Sequence, residues 1–509
     1  MILCWILSIP FAGGLAAWAA AKRGNRLARW ISVSALAADL ILLIGLWAVW
    51  QYSATYPGAA RLAEVQAPWI PSLGISFDLA MDGLSFLLVL LTVFLGLAAV
   101  LASWTEIESH AGFFHFNLMS ALTGIIGVFL AMDLFLFYFF WELMLVPMYF
   151  LIALWGHERR RYAAVKFFLF TQLGGLAMLA AILALFFIHG RASGIYTFNF
   201  RHLMGTPLSP EAARLILAGF LAAFLVKLPA IPFHTWLPDA HTEAPTAGSV
   251  ILAGLLLKTG AYGLLRFAVP LFPGAAADFA PVLMTVAVTG ILYGAVLAFA
   301  QKDIKRLVAY TSVSHMGFVL LGIFAWNEIA LQGAVIQILC HGLGTSALFI
   351  LCGALQERTG TRDMERMGGL WDSSPLMGGM WLFFALAALG LPGMGNFVGE
   401  FLVLLGAWRV SIPLTALAAL GLVVSTVYAV WMVQKIFFGL NTQNWCIPDL
   451  RVREMVPLAA MMAVILWIGL YPRPCLDTAR GSLANLREMA RVTLAVQSAE
   501  TAGGNHDRP

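Results

Sequence analysis

The sequence predicts an all-α integral membrane protein with about 14 transmembrane helices. Of its 509 residues, 61% are hydrophobic and only 11% are charged, and the mean hydropathy is +0.86. An average soluble domain is about 25% charged, so a soluble fold of this composition would expose large apolar patches. The apolar stretches are continuous rather than alternating, which excludes a transmembrane barrel.

The apolar runs divide the chain into fourteen predicted spans, which we treat as one membrane domain covering residues 1–509. A spanning helix needs roughly 20 apolar residues. Proline removes a backbone donor and clashes with the preceding turn, so Pro229 with Pro232 predicts a broken span 7, and Pro392 with three nearby glycines predicts a broken span 12. Residues 476–509 are predicted to be a short, polar to amphipathic C-terminal tail. The predicted spans are 1–20, 30–50, 79–103, 113–131, 134–155, 163–189, 212–236, 246–272, 280–300, 305–325, 329–356, 375–407, 412–438 and 455–473.

The distribution of Lys and Arg orients the predicted spans, because basic residues concentrate in cytoplasmic loops. The loops after odd-numbered spans hold sixteen such residues, including Lys302, Lys305 and Arg306 after span 9, against five in the even-numbered loops. The odd-numbered loops are therefore predicted to be cytoplasmic and both termini to lie on the opposite side. The net charge of +4 is spread through the loops, so the sequence carries no nucleic-acid footprint.

Four ionisable residues inside spans are the main functional candidates, since each costs at least ~2.5–3.5 kcal/mol on insertion scales. Glu142 lies alone in the aromatic stretch of span 5, and Lys227 directly precedes the predicted break in span 7. Lys258 lies deep in span 8, and Glu400 follows the predicted break in span 12. Transporters place ion sites at such breaks.

Two histidines extend this set, because histidine titrates near pH ~6.5 and can relay protons. His315 lies in span 10 and His341 in span 11. Each alone would be a hydrogen-bonded core histidine, but as part of the series we interpret both as relay residues. A metal site is not predicted, since no two histidines share a helix face with a second ligand. The five cysteines form no metal-ligand spacing, and no nucleotide fingerprint stands in the right context.

Other ionisable residues receive structural interpretations. Asp39 lies in span 2 without an evident partner and has no assigned role. His234 and His241 are interpreted as interface or channel-mouth residues at the end of span 7. Four residues near predicted helix ends are interpreted as structural, because the membrane interface is easily reached from there: Asp78, Asp82, Asp133 and Arg266.

The spacing of the candidates indicates an internal repeat. Glu142 precedes Lys227 by 85 residues, and His315 precedes Glu400 by the same distance. An offset of five spans reverses membrane direction, so residues 113–272 and 280–438 are predicted to be inverted five-helix repeats. Lys258 would then lie between two half-channels. The residues alone predict an ion path, most plausibly for protons, that is driven by an ion gradient or by partner subunits.

Several segments resemble the NuoM (NADH dehydrogenase subunit 4) family of antiporter-like subunits of respiratory complex I. The resemblance covers essentially the whole chain. In Ser249 to Gly254 the sequence departs from it, because Ile251 stands where relatives carry a carboxylate. The similar segments are 139–150 (FFWELMLVPMYF), 236–241 (WLPDAH), 244–250 (APTAGSV), 310–318 (YTSVSHMGF) and 395–401 (GNFVGEF).

The resemblance implies a proton-translocating subunit of a bacterial NADH:quinone oxidoreductase in the inner membrane, with periplasmic termini. It implies fourteen helices with spans 7 and 12 broken, an ion pair between Glu142 and Lys227, Lys258 as the central relay lysine, and Glu400 as the exit residue after His341 and His315. No cofactor is expected in this chain. FMN, iron–sulfur clusters and quinone chemistry would belong to partner subunits, with the L and N chains as membrane neighbours. The alternative is a subunit of a multisubunit sodium/proton antiporter.

Overall fold

The structure is a computed structural model that describes residues 1–52 and 61–503 and is built mainly from helices. In chain order the helices are α1 Ile2–Ala20, α2 Asn25–Tyr52, α3 Gly83–Ala102, α4 Ala111–Leu130, α5 Leu134–Leu143, α6 Leu145–Trp155, α7 Arg160–Ser193, α8 Phe200–Leu203, α9 Pro210–Lys227, α10 Trp236–Glu243, α11 Thr246–Ile251, α12 Leu257–Gly263, α13 Val269–Leu271, α14 Pro273–Phe299, α15 Ile304–Ala325, α16 Glu328–Thr359, α17 Pro375–Ala388, α18 Gly395–Trp408, α19 Ile412–Phe437, α20 Val452–Leu470 and α21 Arg473–Gly503.

The helices follow the predicted spans closely. Within the described residues, 12 helical segments are long and apolar enough to cross a membrane. The predicted spans 7 and 12 are each split, span 7 into α9 and α10 and span 12 into α17 and α18. Both breaks fall where proline and glycine predicted them. Span 5 carries an unpredicted one-residue interruption at Met144, between α5 and α6. The total number of crossings stays a prediction.

The all-α membrane fold is confirmed, and one short β-hairpin accompanies the helices. Strand β1 (Ala63–Ile70) pairs antiparallel with β2 (Ile75–Met81), with Ala63 opposite Met81. Residues 79–81 therefore belong to a strand, and α3 begins at Gly83 instead. The helix starts there because the Asp82 carboxylate accepts a hydrogen bond from the Ser85 amide at 3.0 Å, which satisfies one of the free amides of the first turn.

Loops after odd-numbered spans meet at one end of the bundle, which we call the basic end (residues 103–110, 156–159, 244–245, 300–303 and 360–374). There Arg362 pairs with Asp303 at 3.1 Å and lies 3.8 Å from Glu243. The Arg159 amide donates to Glu243 at 2.8 Å. These contacts bring the loops after spans 5, 7, 9 and 11 into one network, as the predicted alternation requires.

The opposite end carries the β-hairpin and α21, and we call it the hairpin end. Most of the predicted tail lies in α21, a helix of 31 residues. Its apolar face is buried against α3, α13, α14 and α16, and the Ser482 hydroxyl accepts a hydrogen bond from the Leu84 amide at 3.1 Å. Its arginines lie outside, with Arg480 and Arg487 within 3.8 Å and 3.7 Å of Glu328. Buried and exposed side chains alternate along this helix as far as Gln497, and residues 504–509 of the predicted tail lie outside the described residues.

Candidate functional site

Lys258 lies at the centre of the bundle and is fully buried. It belongs to α12, a helix of only seven residues between two π-helical segments, Leu252–Leu256 and Leu264–Ala268. π-Helical turns are rare and frequently mark functional sites. The Lys258 ammonium donates to the Ala253 carbonyl and lies 2.6 Å from His341 Nδ1. Since an ammonium can only donate, His341 Nδ1 accepts, and the ring proton is then on Nε2.

His341, His315 and Glu400 continue from Lys258 in one buried line. The two imidazole rings have centroids 5.7 Å apart, a separation that one water can bridge. His315 Nδ1 lies 3.0 Å from Glu400 Oε1, and the Tyr428 hydroxyl lies 3.3 Å from His315 Nε2. The structure therefore brings Lys258, His341, His315 and Glu400 together.

The break in span 12 positions the Glu400 carboxylate. Glu400 lies in the second turn of α18, directly beyond the break, and is 1% exposed. The Gln337 amide, one turn before His341 on α16, donates to Glu400 Oε1 at 2.8 Å. On the other side, Gly390 has φ +76° and leaves the space that Glu400 Oε2 occupies. An ionisable group thus lies beside irregular backbone, which membrane proteins tolerate only where it faces protein or a cavity.

Lys227 is the last residue of α9 and is 1% exposed. Its ammonium lies over aromatic rings, 5.1 Å from the Trp141 centroid and 5.7 Å from the Phe167 centroid. Such cation–π contacts stabilise a desolvated ammonium. The Trp236 indole donates to the Val226 carbonyl at 2.9 Å, which satisfies an acceptor freed by the break.

The ion pair implied between Glu142 and Lys227 is not formed. Among the described residues neither Glu142 Oε1 nor Lys227 Nζ has a hydrogen-bond partner. The reason is that the Lys227 ammonium occupies an aromatic cage, while Glu142 points to the flank of the bundle between α5 and α7, beside Gly175. Glu142 is half-buried, and Phe139 and Val146 on the same face are 43% and 49% exposed. The two groups therefore influence each other through charge rather than through contact.

His234 and His241, interpreted from the sequence as interface or channel-mouth residues, are both buried inside the bundle. His241 stacks on Phe349 with ring centroids 4.5 Å apart and an interplanar angle of 5°. Within the described part of the chain, neither ring nitrogen of His241 has a hydrogen-bond partner.

The four residues interpreted as structural near helix ends all make contacts that stabilise the fold. Arg266 pairs with Asp82 at 2.6 Å and donates to the Tyr262 hydroxyl at 3.1 Å. Asp133 caps α5, and Asp78 accepts from Asn199 at 2.7 Å. Asp39 is fully buried, and its carboxylate has no hydrogen-bond partner in residues 1–52 and 61–503; nothing in the structure explains it. Ile251 is fully buried at the end of α11, where it packs as an ordinary apolar residue.

Sequence reasoning missed Lys305, Gln337 and Tyr428. Lys305 was counted as a loop residue, but it lies in the first turn of α15 and is fully buried. It stands within a charged stretch, Lys302 to Arg306, and so carries no isolated-charge signal. Gln337 and Tyr428 are neutral, and only their contacts with Glu400 and His315 reveal them. His241 was named from the sequence, but its burial and its stacking on Phe349 were not predicted.

Comparisons with known sequences place the chain among membrane subunits of redox complexes. Residues 131–426 match the family described as "NADH:quinone oxidoreductase/Mrp antiporter, TM". The chain is 51% identical to NADH-quinone oxidoreductase subunit M of Escherichia coli over 96% of this chain and 98% of the relative. It is equally similar, at 51% identity, to the subunit M of Pseudomonas aeruginosa over 97% of this chain and 99% of the relative.

Solved structures show the same fold. A chain of respiratory complex I from Thermus thermophilus with bound NADH superposes with a TM-score of 0.85 at 33% identity, covering 98% of this chain and 100% of that chain. A chain of the Mrp complex from Dietzia sp. superposes with a TM-score of 0.81 at 24% identity, covering 98% of this chain and 55% of that chain. At that identity the second likeness concerns the fold alone.

Proposed function

Since the chain belongs to the subunit M family of NADH-quinone oxidoreductases, we propose that protons cross it along Lys258, His341, His315 and Glu400. The protein is a proton-translocating membrane subunit of an NADH:quinone oxidoreductase, respiratory complex I. Other subunits of that complex are its partners, and FMN, iron–sulfur clusters and quinone sit in those subunits. The single observation that supports the path is the burial of these four groups together: contacts join Lys258 to His341 and His315 to Glu400, and the two imidazole centroids lie 5.7 Å apart.

Each group in the proposed path accepts a proton on one atom and releases one from another. The Lys258 ammonium gives a proton to His341 Nδ1, and His341 releases one from Nε2. His315 receives it at Nε2, beside the Tyr428 hydroxyl, and releases one from Nδ1 to Glu400 Oε1. Lys258 ends as a neutral amine and Glu400 as a carboxylic acid, which then loses its proton to the exit side. His341 ends with its proton on Nδ1 and His315 with its proton on Nε2, so both rings return to their starting tautomers before the next transfer.

Glu142 and Lys227 would control this path through charge. A carboxylate close to Lys227 favours the ammonium, while separation of the two favours release of the proton. The separated arrangement, with Lys227 over Trp141, would then be the releasing state. Partner subunits that draw Glu142 toward or away from Lys227 would drive the switch. The half-exposed flank on which Glu142 lies is compatible with such a partner.

The proposed topology follows the repeat and the charge distribution. Residues 113–272 and 280–438 would be inverted repeats, with the basic end cytoplasmic and both termini periplasmic in the bacterial inner membrane. The equal 85-residue spacing of Glu142–Lys227 and His315–Glu400 supports this arrangement. The neighbouring subunits would be the antiporter-like L and N chains. The alternative, a subunit of a sodium/proton antiporter, has weaker support, since the Mrp likeness extends only to the fold.

A Glu400→Gln variant tests the path. Glutamine keeps the shape and the contact with Gln337 but cannot carry a proton, so we expect fewer protons translocated per NADH oxidised in proteoliposomes. Loss of a positioned acid typically slows proton transfer on the order of 10²-fold. Glu211→Gln, the same change at an exposed position of α9, is the control and should pump normally. Full pumping by Glu400→Gln would contradict the proposed path.

A Gly390→Ala variant tests how the break positions Glu400. A non-glycine residue at φ +76° is strained by roughly 1–2 kcal/mol, and the added Cβ would lie 2.6 Å from Glu400 Oε2. We expect lower stability together with a reduced pumping ratio. Gly393→Ala is the matched control, since its φ of +95° brings similar strain but its Cβ meets no atom within 4 Å among the described residues. Equal pumping by the two variants would show that strain alone matters.

A further inference from the structure

Two polar groups from neighbouring helices converge on one oxygen of the Glu400 carboxylate. The Gln337 amide on α16 donates to Oε1 at 2.8 Å, and His315 Nδ1 on α15 lies 3.0 Å from the same oxygen. The other oxygen, Oε2, is buried and has no hydrogen-bond partner within residues 1–52 and 61–503. The two oxygens of Glu400 therefore lie in different surroundings, and proton transfer from His315 alone does not explain the difference.

The side chain of Gln337 makes a single hydrogen bond among the described residues, the one to Glu400. The residue is fully buried, and its carbonyl oxygen Oε1 has no donor in the part of the chain that the structure describes. A buried acceptor without a donor lowers stability, whereas a methionine or leucine of similar size would fill the same space without that cost. Packing alone therefore does not account for a glutamine at this position, and its contact with Glu400 does.

Glycines bring α16 and α18 close enough for this contact. A Cβ atom at Gly399 would lie 2.7 Å from the Gln337 backbone nitrogen and 2.8 Å from Gln337 Oε1. A Cβ atom at Gly333 would lie 2.5 Å from the Val403 backbone nitrogen. Both positions need glycine, because only a residue without a side chain permits such a close approach. The two helices thus pack backbone to backbone beside the break in span 12, which places the Gln337 side chain next to Glu400.

The same face of α16 carries His341. Gln337 lies four residues before His341 on this helix, so the two side chains are neighbours on its surface. The His341 ring has its centroid 5.7 Å from that of His315, while Gln337 reaches Glu400, the group that follows His315 in the proposed path. One helix therefore presents a proton-carrying group before His315 and a hydrogen-bond donor after it.

We infer that Gln337 is a positioning residue for the transfer of a proton from His315 to Glu400, because its amide holds Oε1 against His315 Nδ1 and leaves Oε2 unengaged. This inference rests on the proposed function. It adds to the path the group that orients the accepting oxygen and the reason why Oε1 accepts the proton instead of Oε2. A carboxylate with one fixed hydrogen bond keeps one oxygen in place, whereas a free carboxylate turns about its Cγ–Cδ bond.

The transfer balances without any change in Gln337. The Nδ1–H bond of His315 breaks and a bond from that hydrogen to Glu400 Oε1 forms. An imidazole that has received a proton on Nε2 becomes neutral, and the carboxylate becomes a carboxylic acid. Gln337 neither gains nor loses a proton, since a side-chain amide supplies only hydrogen-bond donors and an acceptor. It acts through geometry, and a misplacement of about 1 Å can slow a reaction on the order of 10²-fold.

The test compares Gln337→Met with the parent in the assembled complex in proteoliposomes. Methionine keeps the length of the side chain but cannot donate to Oε1, so we expect fewer protons translocated per NADH oxidised and proton transfer slowed roughly tenfold or more. The decisive measurement is the ratio of pumping rates in H₂O and D₂O, which should rise above that of the parent because transfer to Glu400 becomes rate-limiting. A change that merely destabilised the bundle would lower the amount of active complex and leave this ratio unchanged.

Further variants separate this inference from the proposed function. Gln337→Asn keeps the amide but is one carbon shorter, so it should show the same loss if Gln337→Met does not assemble. Gln332→Met makes the same exchange at a partly exposed position of α16, where the amide lies 3.4 Å from Glu328, and should pump normally. Full pumping by Gln337→Met, or reduced pumping with the isotope ratio of the parent, would overturn the positioning role alone if Glu400→Gln is impaired. Full pumping by Glu400→Gln would overturn the path itself.

Discussion

A Lys258→Ala variant should abolish proton translocation through this subunit while leaving the complex assembled. Lys258 is fully buried, and its ammonium is the group that contacts His341, at 2.6 Å. A methyl group cannot carry a proton across that position, and loss of a positioned acid–base group typically slows transfer by about 10²–10⁴-fold. The measurements are the number of protons translocated per NADH oxidised and the NADH:quinone rate in proteoliposomes.

Two companion variants interpret the Lys258 result. Lys258→Arg keeps a positive charge that is not released in proteins, so it should fail as well if Lys258 must give up its proton. Lys22→Ala removes a lysine from an exposed position and should behave like the parent. A Lys258→Ala complex that assembled normally and pumped with full stoichiometry would refute the relay.

Asp82→Ala should produce the largest loss of stability of any single change considered. The Asp82–Arg266 pair is 2.6 Å long, and its side chains are 6% and 5% exposed. Removal of one partner leaves the other charge buried and uncompensated, which costs about 3–5 kcal/mol. The amino-terminal cap of α3 is lost too, worth about 1 kcal/mol. The midpoint of heat-induced dissociation of the complex in detergent should fall accordingly.

An exposed ion pair provides the contrast for Asp82. Asp477 pairs with Arg473 at 3.2 Å on α21, with side chains 51% and 76% exposed. Surface pairs contribute about 0–1 kcal/mol, so Asp477→Ala should barely move the midpoint. Combining Asp82→Leu with Arg266→Met removes both buried charges and should recover much of the loss. Equal midpoints for Asp82→Ala and Asp477→Ala would contradict the assignment.

The breaks and the buried charges were predictable because they violate the chemistry of a spanning helix. Pro229, Pro232 and Pro392 cannot continue an α-helix, and the structure is interrupted at each. Lys258 and Glu400 stand in apolar stretches of the sequence, where a charged side chain is costly. These signals are local, so single positions in the sequence reveal them. The roles assigned to the six relay candidates stay predictions.

The β-hairpin, the burial of Lys305 and the separation of Glu142 from Lys227 were not predictable, because each depends on tertiary contacts. The β-hairpin is stabilised by contacts with distant residues, such as Asp133 accepting from Ser76 at 3.0 Å, and its apolar second strand reads as the start of a helix. In the sequence Lys305 is one of several charges in a loop, and only the fold shows that it is buried and that its ammonium donates to the Ala244 carbonyl. The Lys227 ammonium lies over the Trp141 and Phe167 rings instead of against Glu142, and no spacing in the sequence encodes that arrangement.

The C-terminal helix α21 has a mechanical consequence. At 31 residues it is roughly 46 Å long, and it packs against α3, α13, α14 and α16. The helix α21 therefore connects helices that come from the first half, the middle and the second half of the chain. Sliding of one half of the bundle past the other would have to bend or detach this rod. During turnover we therefore expect side chains and the short segments at the broken helices to move, while the two halves of the bundle keep their relative positions.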